Sequence, residues 1–248
     1  MAVRAIARGV LSDNISVVTR ALRRLARLIG KDSETNQRAD DWKELLQELE
    51  ELDVLDRLVA LSAHEDPAVR ELSVDALAAW TGERALATLM KLSADEVNEV
   101  RASAVGGLEE WPEVIEATDV LVAGVEDSSW QVRWRAARAL GPHAGRDAED
   151  ALFIALLDDD SNVRCAAAEA LEQHNSERVR TRLRGYFDYP SPHMLDAALD
   201  LLGVIGTEDD ARFLAKVGGW TNLSQPSQVK RWARDASKRI RARLKGAE

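Results

Sequence analysis

The sequence predicts an all-α protein, a right-handed α-solenoid of about seven helical hairpins. Three observations predict it. Ala and Leu supply 38 and 31 of the 248 residues, against 14 Gly and 6 Pro. These two residues are among the strongest helix formers, and few breakers remain. A period follows: Val69-Arg70, Val100-Arg101, Val132-Arg133 and Val163-Arg164 recur at steps of 31, 32 and 31 residues. Met194 continues the series, and Val17 precedes it. Finally, each anchor is followed by the same pair. Four residues on stand Ala21, Ser73, Ala104, Ala136, Ala167 and Ala198; eight on stand Leu25, Leu77, Leu108, Leu140, Leu171 and Leu202. Offsets of four lie on one helix face, and a small central residue lets neighbouring helices approach closely.

A first helix precedes each of these, with Leu58, Leu89, Leu121, Leu152, Leu183 and Phe213 at its buried position. The intervening turns, such as Asp66-Pro67 and Asp160-Ser161-Asn162, carry helix-capping residues, with Pro suited to the first helical position. Neither helix buries its apolar face alone, so the hairpins must stack. One domain is expected over residues 1–248, with an N-terminal cap (1–52), regular repeats (53–206) and a C-terminal cap (207–248). Two stretches break the period. Residues 31–40 form a polar loop, followed by an extra amphipathic helix with Trp42, Leu45, Leu46, Leu49 and Leu52. Residues 218–226 read as a loop before a last helix on Val229, Ala233, Ser237, Ile240 and Leu244.

The D-x-x-V-R-x-x-A-x-x-A-L pattern of Asp160 to Leu171, with Asp66-Pro67-Ala68-Val69-Arg70 and Trp130 to Leu140, resembles the phycobilisome-lyase-type HEAT-like repeats. The resemblance is strong over 53–206 and specific for the fold. For function it implies a wide choice, since such families include scaffolds, chromophore lyases and a metal-dependent hydroxylase.

No catalytic constellation stands out. His143 and His174 fall eleven residues past their anchors, where other repeats carry Leu28, Trp80, Trp111 and Ile205; a site that accepts these is a packing site. His64-Glu65 is the single His-Glu pair, too few for the di-iron centre of HEAT-type deoxyhypusine hydroxylases. No Gly-rich phosphate loop, G-x-S-x-G or H-E-x-x-H occurs. The lone Cys165 excludes a disulfide framework and has no neighbouring His to activate it. The expectation is no catalytic residue, no metal and no cofactor.

Charge is divided along the chain. The net value is −10, but residues 1–31 and 226–248 each carry +6, leaving −22 between them. An acidic middle argues against a likeness to HEAT-like alkylpurine DNA glycosylases, because duplex binding needs a basic track. On the second helices, offsets −1, 2, 6 and 9 from the anchor oppose the buried arc and should line a concave groove. They give Glu71, Asp75, Glu99, Glu109, Gln131, Trp134, Arg138, Glu169, Glu172, Asp196 and Asp200, an acidic row with Trp134 in its middle. An exposed Trp beside Arg is a common composition for interface hot spots; the alternative is an indole covered by Arg135 or Arg138. Arg70, Arg101, Arg133 and Arg164 repeat so regularly that they read as structural bonds to turns.

The expected function is a non-enzymatic scaffold or adaptor that binds a protein partner on that groove. One alternative is a HEAT-like lyase or hydroxylase. Another is nucleic-acid binding through the basic ends, with Arg20, Arg23, Arg24 and Arg27 at one and Lys230, Arg231, Arg234 and Lys238 at the other. No apolar run approaches the ~18–20 residues of a membrane span. Residues 1–11 lack the apolar core of a secretory signal, so a cytoplasmic protein is expected.

Overall fold

The computed structural model describes residues 2–31, 49, 53–80, 82–187, 192–219 and 227–246. They form fourteen α-helices, paired as seven hairpins, in two compact units, Met1–Ala139 and Leu140–Glu248. In the first unit α1 (Ala2–Val10) pairs with α2 (Ile15–Lys31), and α3 (Val54–Leu61) with α4 (Pro67–Leu77). Then α5 (Glu83–Leu92) pairs with α6 (Asn98–Gly107), and α7 (Ile115–Gly124) with α8 (Trp130–Ala139). The second unit holds α9 (Arg146–Ala155) with α10 (Ser161–His174), α11 (Glu177–Gly185) with α12 (Pro192–Ile205), and α13 (Glu208–Gly219) with α14 (Ser227–Gly246).

Each unit has two helix layers. In the first, α2, α4, α6 and α8 pack side by side in succession, and α1, α3, α5 and α7 form the other layer. In the second, α10, α12 and α14 pack in succession. The repeat face is the core. Val69, Val100, Val132 and Val163 are buried, as are all six small residues four positions on and all six leucines eight positions on. The methyl-sized residue is structural: a Cβ added at Gly124 in α7 would stand 3.0 Å from the Cβ of Ala136 in α8.

The register shifts in two places. Val17 is exposed while its neighbour Val18 is buried, although Ala21 and Leu25 keep their buried positions. In α13 the buried residue is Leu214; Phe213 is half-buried, its ring edge-on to Phe187 at 5.4 Å. Leu214 restores the strict step from Leu152 and Leu183, both fully buried. The loop expected at 218–226 starts later, since α13 continues through Gly218 and Gly219; glycines are frequent where a helix closes. The polar loop and most of the extra helix at 31–52 lie outside the described residues, where Leu49 alone is seen, helical and buried. The last helix buries Val229, Ala233, Ser237 and Ile240 as the pattern requires, while Leu244 in its last turn is only half-buried.

Turn chemistry is local. The Asp66 carboxylate accepts from the Ala68 N–H with Pro67 opening α4, and Asp160 accepts from the Asn162 and Val163 N–H groups. These caps satisfy donors that a helix start leaves unpaired. The repeated arginines close the turns. Arg70 donates to the His64 carbonyl, Arg101 to that of Asp95, Arg133 to that of Asp127 and Arg164 to that of Asp158. Two of them also tie neighbouring hairpins by a two-pronged bond: Arg70 to Asp95 and Arg101 to Asp127, all four contacts at 2.9 Å. Burial alone would raise the pKa of Asp95. The Arg70 bond and the Val97 amide outweigh it and hold the carboxyl below its usual range; Arg101 and Ser129 do the same for Asp127.

Candidate partner-binding face

The second-helix layer of the first unit presents one face built from equivalent helix positions. Because α4, α6 and α8 pack in order, offset 6 of one helix meets offset 3 of the next. Asp75 of α4 stands beside Ser103 of α6, whose hydroxyl favours its ionised form. Gly106 of α6 carries Arg135 of α8, where an added Cβ would come 3.1 Å from the Arg135 Cδ. The Arg135 guanidinium in turn lies over the Trp134 ring, 5.1 Å from its centroid. Such a cation over an indole face contributes about 0.5–1 kcal/mol at an exposed site. Small Gly106 is thus a seat for Arg135, and Trp134 is half-buried beneath that guanidinium.

Carboxylates fill the neighbouring positions. Glu71, Asp75 and Glu109 are half-buried and Glu99 is exposed. Burial pushes the Asp75 carboxyl above its usual range, against the pull of Ser103 and Arg135. Burial also raises Glu71, helped by Asp75 and Glu99. Glu109 is raised by burial too, with Arg138 and Arg135 drawing it back. Three of the four are therefore acids whose charge is disfavoured by their surroundings, a state that a cationic partner would relieve. Gln131 is half-buried and accepts from the Ser129 hydroxyl at 2.6 Å, while Arg138 is exposed.

The second unit carries Glu169, Glu172 and Asp200, all exposed. The side chain of Asp196 lies outside the described residues. Asp200 pairs with Arg239 of α14 at 3.2 Å. A groove of about 330 Å³ between α10 and α12 is lined by Cys165, Glu172, Asp200, Leu201 and Val204, among others. Of the α14 cations, Arg241 pairs with Glu208, and Arg243 donates to the Gly206 carbonyl. Arg231, Arg234 and Lys238 are exposed, and Lys230 is half-buried.

Three of the four histidines, His64, His143 and His174, have placements that belong to the fold; the side chain of His193 lies outside the described residues. His143, Trp80, Trp111 and Ile205 are buried at the shared packing position, and His174 Nε2 sits 3.0 Å from the Leu140 carbonyl. His64 Nδ1 accepts from the Asp66 N–H in its turn. Among the described residues no group of three His, Cys, Asp or Glu could hold a metal ion. Nor, among them, is any helix long and apolar enough to cross a membrane.

Ser103 is the residue that sequence reasoning missed; Arg135 was foreseen as the alternative cover of the Trp134 indole, which it is, but not as a neighbour of Asp75 and Glu109. Both stand at offset 3, which a single-helix projection puts on the flank; only the packing of one helix on the next turns that flank into the floor of the face.

Stacked helical hairpins joined by turn-closing arginines, with one open charged face, define an α-solenoid scaffold suited to protein binding. The chain belongs to the HEAT repeats family, whose profile matches residues 43–109 and 118–202. No curated protein matches it. Solved structures share the fold. A computationally designed armadillo repeat protein for modular peptide recognition has 20% identity and a TM-score of 0.54, covering 96% of this chain and 99% of its own. A designed armadillo repeat protein in complex with the peptide (KR)4 has 22% identity and a TM-score of 0.53, covering 97% and 100%. The complex of CpcE and CpcF of phycocyanin lyase from Nostoc sp. PCC7120 has 18% identity and a TM-score of 0.55, covering 97% and 95%. At these identities the likeness concerns the fold alone.

Proposed function

We propose that this protein is a non-enzymatic scaffold or adaptor that holds a protein partner on the exposed face of its second helices. One observation carries the proposal: the continuous face on which Glu71, Asp75 and Glu109 stand beside the Trp134–Arg135 stack. The carboxylates suit Lys or Arg side chains of the partner, and the stacked pair supplies an aromatic–arginine anchor of the kind that dominates interface energies. A designed repeat protein of the same fold that holds the peptide (KR)4 supports a cationic ligand for such a face.

Binding of (KR)4 to the full chain tests it directly. Salt-sensitive binding is expected, lost in the Asp75→Lys/Glu109→Lys variant. Affinity capture from cells should then recover a partner with the wild type and lose it with Trp134→Ala. Equal recovery by both proteins would sink the assignment of Trp134. A catalytic role has one foothold, the fold likeness to the CpcE–CpcF complex. The face itself offers no paired acid and nucleophile to support it.

A further inference from the structure

The acidic face does not extend to α2. This helix has no acidic residue, and it packs against α4 on the side opposite α6. Thr19 and Arg23 of α2 hold the repeat positions of Glu71 and Asp75 in α4, so the charge changes sign between adjacent helices of one face. Arg20, Arg23 and Arg24 are exposed and line a concavity of about 750 Å³ with Ile15, Ser16, Thr19 and a single carboxylate, Asp66, which caps α4. Most other described arginines are held: Arg70 and Arg101 by turn carboxylates, Arg178 and Arg182 by Glu149 or Asp150. Arg20, Arg23 and Arg24 have no hydrogen bond or ion pair among the described residues. Three guanidiniums within two helical turns outnumber the one carboxylate of the concavity, Asp66, which already accepts from the Ala68 N–H, and form a site for an anionic group.

The neighbourhood limits what that anion belongs to. Packed helix axes lie about 8–10 Å apart. A uniform polyanion leaving the α2 concavity would therefore meet Glu71 and Asp75 within one Debye length, about 8–10 Å at ordinary salt. A nucleic-acid strand carries its charge at every step and would be repelled there. Among the described residues that line it, the concavity also offers no aromatic side chain for a base to stack on, which single-strand binders rely on. A protein segment can reverse its charge from one residue to the next.

We infer that the first unit recognises a bipolar segment of the partner: a short Asp/Glu cluster on Arg20, Arg23 and Arg24, followed by Lys/Arg residues on Glu71, Asp75 and Glu109. The inference rests on the proposed partner-binding role and adds the partner's charge pattern. The sign change fixes the direction in which the segment lies across α2, α4 and α6, which a uniformly acidic face would leave open.

The test uses the full chain and two synthetic peptides of identical composition, one with an Asp/Glu block joined to a Lys/Arg block, the other with the charges alternating. Fluorescence anisotropy at low salt should show the block peptide binding at least tenfold more tightly. Reversing the arginines (Arg20→Glu/Arg23→Glu/Arg24→Glu) should abolish that preference while leaving (KR)4 binding equal or stronger. The milder Arg20→Ala/Arg23→Ala variant should reduce it, and circular dichroism confirms that each variant is folded. Equal binding of the two peptides, single-stranded DNA binding as tightly as the block peptide, or a preference that survives both variants would overturn the inference. If (KR)4 still binds through Asp75 and Glu109 while the block peptide gains nothing, the partner-binding role stands and only the bipolar pattern falls.

Discussion

Arg135 lies along Gly106, so close that a Cβ at position 106 would stand 3.1 Å from its Cδ and 3.2 Å from its Nη1. Both neighbouring atoms belong to a flexible side chain. Gly124 is different, because its added Cβ would meet the Ala136 Cβ at 3.0 Å and Val105 at 3.6 Å, between helices that cannot part. Replacing a helical Gly by Ala gains about 1 kcal/mol of propensity. Gly106→Ala should therefore be neutral or stabilising, with Arg135 yielding slightly. Gly124→Ala should be destabilising by about 1–3 kcal/mol, the usual cost of overpacking. Thermal unfolding of the two variants checks the opposite signs; equal shifts would mean that helix spacing is looser than the geometry indicates.

The Arg70–Asp95 pair predicts a larger loss. Their side chains are 9% and 8% exposed, so removing the arginine strands a carboxylate away from water. Breaking one side of such a pair costs about 3–5 kcal/mol. Arg70→Ala should lower the denaturation midpoint accordingly. Arg101→Ala should cost less, since Arg101 and Asp127 are 15% and 18% exposed. The doubly substituted Arg70→Met/Asp95→Leu protein should recover much of the loss, because no charge remains unpaired. If the double variant is as weak as the single one, the pair's contribution lies in its geometry and not in compensated burial.

Acidification should act in two opposed stages. Asp95 and Asp127 have depressed pKa values, so their stabilising contribution is complete above the ordinary carboxyl range, about pH 4, and lost as pH falls through their folded values below it. Glu71, Asp75 and Glu109 have raised values, so the folded state holds protons that the unfolded chain has released. Their effect is the reverse: stability falls as pH rises from the ordinary range through their folded values. Stability should thus increase slightly as pH falls through the raised values towards the ordinary carboxyl range, then drop below about 4. Asp75→Asn should be more stable than wild type at pH 7, with the advantage shrinking as pH is lowered. Urea titrations across this range would show it; a constant difference between the two proteins would contradict the raised value at Asp75.

The core register was legible because it depends on one helix at a time. Val, small residue and Leu at offsets 0, 4 and 8 bury as the spacing requires, and the exceptions have local causes. Val17 gives way to its neighbour Val18 at the buried position, and Leu214 displaces Phe213 because the true step is one residue longer. The charged face was legible only in part. Glu71, Asp75, Glu99 and Glu109 follow from projecting single helices. Ser103 does not, and Arg135 follows only as a cover of the Trp134 indole, because offset 3 joins the face only when the next helix is docked. The arginines of α2 were visible as charge, but their continuity with the acidic row depends on α2 packing against α4.

Arg135 links stacking, charge and pH. It lowers the carboxyl pKa values of Asp75 and Glu109, although burial keeps both above the ordinary range. It also places a cation where an incoming Lys or Arg would sit. Arg135→Ala removes both effects. At pH 7, with the carboxylates ionised, loss of one repelling charge should strengthen (KR)4 binding by about 1.4- to 5-fold, the equivalent of the ~0.2–1 kcal/mol typical of an exposed charge pair. With the cation gone the carboxyl values rise further, so the variant should lose binding at a higher pH than wild type as the solution is acidified. The two binding curves should therefore cross. Trp134 should become more accessible in parallel, seen as stronger acrylamide quenching that disappears in an Arg135→Ala/Trp134→Phe background. Curves that run parallel across the pH range would show that Arg135 acts on the indole alone and has no electrostatic hold on the acidic row.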